Sequence, residues 1–63
     1  MTTGDKIRWL RLSCRITQQE AADRMGWRQE TWWAYEHDLR EPTISMLVRL
    51  AAALDADVSD FLP

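Results

Sequence analysis

The sequence predicts an all-α fold, a compact five-helix bundle in one domain, and three observations carry that expectation. Strand-type alternation is almost absent. Apolar residues recur at helical spacing, most clearly in Ile44, Leu47, Leu50, Ala51 and Leu54. Helix punctuation is explicit, with Thr17-Gln-Gln-Glu20 as a capping box and Gly26 as a stop.

The first helix is expected from about Gly4 to Cys14, opened by Thr2 or Thr3, with Asp5 near its positive end and Ile7, Leu10 and Cys14 buried. In the second, Thr17 and Glu20 reciprocally satisfy backbone donors, Ala21, Ala22 and Met25 turn inward, and Gly26 takes positive φ. A third, from about Arg28 to His37, faces inward with Trp32 and Tyr35. Thr43 caps the fourth after Pro42, and Asp57 caps a short last helix over about Val58 to Leu62, with Asp60 three residues on. Val58, Phe61 and Leu62 close the core or begin an interface.

At 63 residues, with 46% hydrophobic and 29% charged, the chain lies near the lower limit for folding without a staple. One cysteine, Cys14, and one histidine, His37, leave no internal disulfide and no zinc site. Neither a membrane span nor a secretory leader is visible, so a reduced, cytoplasmic setting is expected. No nucleophile paired with a base stands out, which argues against an enzyme, and no metal or other cofactor is implied. The net charge of −2 does not favour a polyanion, yet Lys6, Arg8, Arg11 and Arg15 crowd the first quarter while Asp55, Asp57 and Asp60 crowd the end.

The link between the second and third helices is only long enough to turn the chain, the arrangement of a helix-turn-helix. Ala22, Gly26, Trp32 and Tyr35 stand at the offsets of a small residue, a glycine four on, and apolar residues six and nine further. In these positions the chain resembles the Cro and lambdoid phage repressor-type helix-turn-helix proteins, the XRE family. Ile7-Arg-Trp-Leu10-Arg11, Thr17-Gln18, Glu36 and the stretch from Pro42 to Leu54 extend the resemblance over nearly the whole chain.

The resemblance implies a lambda repressor-like DNA-binding domain that binds a double-stranded operator as a homodimer, a phage-type repressor or Cro-like regulator of transcription. It places the third helix in the major groove, with Arg28, Gln29, Glu30, Trp33 and Ala34 toward the bases. Gln18 and Arg40 fall at phosphate-contact positions, Arg11 pairs with Glu36, and self-association falls to the region from the fourth helix to Phe61 and Leu62. The chemistry is compatible: Gln29 suits adenine, Arg28 guanine or phosphate, and Glu30 a cytosine amino group.

Several residues depart from the family pattern. Ala34 is too short to hydrogen-bond a base, Glu30 repels phosphates unless aimed into the groove, and His37-Asp38 and Arg15 stand where glycine is common. Trp32 replaces a branched aliphatic anchor and Ala21 a leucine, an exchange that conserves volume. Trp27 is expected over the same pocket. Trp33, adjacent to Trp32, must face outward, because helix neighbours sit about 100° apart. With Trp9 and Leu12 it offers the alternative reading, a protein-binding module with aromatic anchors.

Overall fold

In the computed structural model, which describes residues 1–62, the order is α1 (Thr3–Ser13), α2 (Gln18–Met25), α3 (Gln29–Glu36), α4 (Ile44–Ala53) and a single 3₁₀ turn, Val58–Phe61. No strand occurs among the described residues. The domain is all-α, as expected, but its fifth element is this 3₁₀ turn, giving four α-helices and not five. Asp57 caps the turn, accepting from Ser59 N while Asp60 reaches back to the Asp57 backbone.

The expected capping box of Thr17 with Glu20 opens α2, and α1 is opened by Thr2, of the two threonines expected there, in a second capping box with Asp5. Thr43 caps α4 through Met46 N. Backbone locks close α2, α3 and α4 alike, each with a six-to-one bond: Trp27 N to Ala22 O, Leu39 N to Ala34 O, and Ala56 N to Ala51 O, at 2.8–2.9 Å. The lock needs a left-handed residue, which is Gly26 (φ 72°) after α2, Asp38 (φ 59°) after α3 and Asp55 (φ 57°) after α4. Arg15 (φ 58°) makes the same excursion between α1 and α2.

The core gathers Ile7, Ala21, Ala22, Met25, Trp32, Leu50, Ala51, Leu54 and Phe61. Leu10, Cys14, Tyr35 and Leu47 are only partly buried against it. Ile44, assigned to the core by spacing, is instead 77% exposed. It is the first residue of α4, and because Cβ atoms tilt toward a helix's N-terminus its side chain projects beyond the packed turns. Phe61 takes the core side of the last turn and Leu62 the solvent side.

Contacts distant in sequence fix the helices. Asp38, just past α3, accepts from Gly4 N at 2.9 Å and from the Thr2 hydroxyl at 2.6 Å, so the end of α3 caps the start of α1. Gly4 permits the approach: a Cβ there would stand 2.5 Å from Glu36 O and 2.8 Å from Asp38 Oδ1. Arg24 donates to Ala53 O at the end of α4, and Arg49 to Met25 O at the end of α2, each guanidinium meeting the negative end of the other helix.

Candidate nucleic-acid interface

The orientation of α3 on α2 begins with Gly26. Nothing lies within 4 Å of a Cβ built there, so the requirement for glycine is its positive φ and not space. Ala22, fully buried, lets the two helices approach. Trp27, the next residue after Gly26, stacks on Tyr35 (centroids 4.9 Å, planes 13° apart) and tilts against Trp32 (6.1 Å, 50°). These aromatics clamp the inner face of α3, and the opposite face is left to solvent.

Glu36 is the polar centre of this packing. Its carboxylate is 1% exposed and pairs with the Arg11 guanidinium, whose Nε donates to Oε2 and whose Nη2 reaches Oε1 at 3.3 Å. The Trp32 indole N–H donates to Oε2, and Gln18 Nε2 donates to Oε1 at 3.0 Å. Burial alone would raise the carboxyl's pKa. The hydrogen bonds from Arg11, Trp32 and Gln18, with the charge of Arg11, outweigh it and hold the group below its ordinary value. The Arg11–Glu36 pair implied by the family resemblance is therefore present, with Arg11 also donating to Ile16 O at 2.8 Å.

From this carboxylate a line of amides runs outward. Gln29 Nε2 donates to Gln18 Oε1 at 2.6 Å, while Gln18 Nε2 faces Glu36. An ionised carboxylate only accepts, so Gln18 must present its nitrogen to Glu36 and its oxygen to Gln29. Gln29 must then present nitrogen to Gln18, which leaves its own oxygen and a second N–H uncommitted. Adjacent acceptor and donor are the complement of the adenine major-groove edge.

The remaining sequence-selected residues are placed as follows. Arg28 is exposed at the N-cap of α3, where no side chain caps the helix, and Glu30 is exposed in its first turn. Trp33 is 42% exposed and stacks on His37, with centroids 4.0 Å apart. His37 Nδ1 donates to Trp33 O at 3.0 Å, which serves the negative end of α3. Ala34 is half-buried and Arg40 is exposed in the loop after α3. Gln18, assigned by resemblance to a phosphate, has its oxygen and one N–H engaged inside the domain and one N–H left. In the region assigned to self-association, Val58 is half-buried, Phe61 is sealed in the core at 5% exposure, and Leu62 is exposed. Sequence reasoning missed the link from Asp38 to Gly4, which lie 34 residues apart and leave no local signal of their contact.

The eight cationic side chains divide into two sets. Lys6, Arg11, Arg24 and Arg49 are engaged with acceptors of the domain. Arg8, Arg15, Arg28 and Arg40 are exposed, and Arg28 and Arg40 flank α3. Among the described residues, no three His, Cys, Asp or Glu side chains gather into a possible metal site. No helix of the described chain is long and apolar enough to cross a membrane.

Comparison with known proteins agrees with this geometry. The family described as the helix-turn-helix domain matches residues 3–61. Two curated relatives, each called Antitoxin HigA1 and from two strains of Mycobacterium tuberculosis, are 44% identical over 52 residues, covering 82% of this chain and 35% of theirs. The chain thus spans about a third of the length of those relatives. No solved structure matches it. With the capped α2, the left-handed Gly26 turn and the buried Arg11–Glu36 pair in place, the chain belongs to the helix-turn-helix domain family, as a domain of the XRE type.

Proposed function

We propose that the chain reads an operator in double-stranded DNA as a homodimer, laying α3 in the major groove, as a Cro-like or phage-type repressor does. The observation that carries this reading is the Gln18–Gln29 pair, which holds the outer amide edge of Gln29 in the polarity that matches adenine. Arg28, Glu30, Trp33 and Ala34 complete the base-facing set, with Ala34 limited to a thymine methyl. Arg40 and the remaining Gln18 N–H, beside the N-terminus of α2, contact phosphates.

One domain of this size makes few such contacts, so two copies are needed, with their recognition helices about 34 Å apart on a palindrome. Exposed Ile44, Val48 and Leu62, with half-buried Val58, offer apolar side chains for that pairing. A DNA target sets the chain in the cytoplasm. Phosphates neutralised by Arg40 and by other exposed arginines make the affinity fall as salt rises, by a log–log slope of about −0.9 for each. Titration of duplex DNA from around the chain's own gene across salt concentrations tests this; binding absent at low salt, or indifferent to salt, overturns it.

A second reading has its own observation. The relatives are named antitoxins, and on α1 the exposed Trp9 (61%) and Leu12 (50%) stand together with Met1 and the stem of Arg8 around a shallow groove. A toxin protein is the partner that name suggests. Trp33→Ala that weakens DNA binding with the fold intact favours the first reading for α3, whereas Trp9→Ala that spares DNA but abolishes a protein complex establishes the second alongside it.

A further inference from the structure

We infer that Trp32, though it is sealed in the core and touches no base, is a positioning residue for sequence reading, acting on Gln29 through Glu36 and Gln18. The inference rests on the proposal that α3 reads DNA. Its starting point is a division of labour between the two oxygens of the Glu36 carboxylate. Oε2 takes Arg11 Nε and the Trp32 indole; Oε1 takes Gln18 Nε2, with Arg11 Nη2 as a longer partner at 3.3 Å.

Held only by Arg11, through Nε and the longer 3.3 Å contact of Nη2, the carboxylate would keep more play about its terminal torsion, which is broad for glutamate. The indole, rigid and fully buried, removes that freedom by fixing Oε2 from a second direction. Oε1 is thereby aimed at Gln18, the Gln18 amide cannot flip without turning its oxygen on the carboxylate, and Gln29 inherits one orientation. Flipped, Gln29 would present its amide edge in the opposite sense and its match to adenine would be lost. An aliphatic anchor at position 32 has no donor and cannot make this connection.

The test compares the full chain with Trp32→Phe and with Trp32→benzothienylalanine, an isostere without the N–H, installed by chemical synthesis. The probe is a pool of duplexes randomised over 20 base pairs, followed by titration of the enriched duplex and of its single-base variants. The wild-type chain is expected to prefer one adenine per half-site by about tenfold or more, in line with one bidentate pair. Both variants are expected to lose most of that preference at that position alone, while affinity for non-enriched duplex holds.

In the DNA-free chain, the side-chain amide signals of Gln18 and Gln29 should move toward solvent-averaged shifts in both variants. Where Trp32→Phe fails to fold, the isostere decides. A preference unchanged in a folded variant, or affinity lost equally for all sequences, overturns the inference and leaves the DNA reading standing. A wild-type chain that enriches no sequence overturns the reading itself, and the inference with it.

Discussion

The indole N–H of Trp32 donates to the carboxylate of Glu36 one helical turn further on, and both side chains are shut off from solvent. A single residue thus fills the anchor position of α3 and supplies a hydrogen bond to the buried charge that ties α3 to α1. Tryptophan is suited to both tasks because it joins a large apolar surface to one polar handle, which needs a partner when buried.

Removing the charge should be costly. Glu36→Gln leaves the Arg11 guanidinium buried without a countercharge, and a loss of about 3–5 kcal/mol is expected. The pH dependence has a definite sign. Because the folded carboxyl titrates below its ordinary value of 4.5, its contribution is complete above that pH and is lost as pH falls through the folded value. Urea unfolding between pH 7 and pH 3 should show wild-type stability falling more steeply on the acid side than that of Glu36→Gln; parallel curves would contradict this.

Gly4 inverts the usual propensity rule. Alanine is the better helix former by about 1 kcal/mol, yet its Cβ would meet the Glu36 carbonyl, which is backbone and cannot swing aside. Gly4→Ala is expected to destabilise by about 1–3 kcal/mol, the range of overpacking. Thermal melts decide it, and an unchanged or raised midpoint would show that α1 can shift away from α3.

Two left-handed residues should respond oppositely to glycine. Arg15→Gly relieves a backbone strain of roughly 1–2 kcal/mol, partly offset by the greater freedom of unfolded glycine, and a net gain of about 0.5–1 kcal/mol is expected. Asp38→Gly gives the same relief but deletes the acceptor for Gly4 N and the Thr2 hydroxyl, so a net loss is expected. Chemical denaturation of the two variants side by side reads the signs; a stabilised Asp38→Gly would show that the link to α1 contributes little.

Ala21 and Trp32 are both fully buried, consistent with an exchange of volume between α2 and α3. Ala21→Leu should overpack the pocket and destabilise by about 1–3 kcal/mol. The same substitution combined with Trp32→Ile should recover part of the loss. A single variant clearly more stable than wild type would sink the idea of compensation.

How far these features could be read in advance depended on the distance over which their causes act. The Thr17 box, the Gly26 turn and the Thr43 cap are written within three or four residues and were legible directly. Spacing assigned Ile44 to the core wrongly because periodicity describes an infinite helix, and Ile44 lies at the end of a finite one. Trp33 could be turned outward by angle alone, but its stacking on His37 needed the rotamers. Position within a motif suggested a phosphate for Gln18; the carboxylate that engages it comes from the far end of α3, eighteen residues on, and no local pattern announces that partner.

The division of the cations has a kinetic consequence. Half of the basic side chains are spent on helix ends, the Glu36 pair and the Phe61 carbonyl, in a chain whose net charge is already −2. With that net charge the domain exerts little long-range pull on a polyanion, so on the proposed reading its encounter with DNA is not accelerated toward the diffusional ceiling. On the proposed DNA reading, discrimination then rests on what α3 touches more than on long-range attraction.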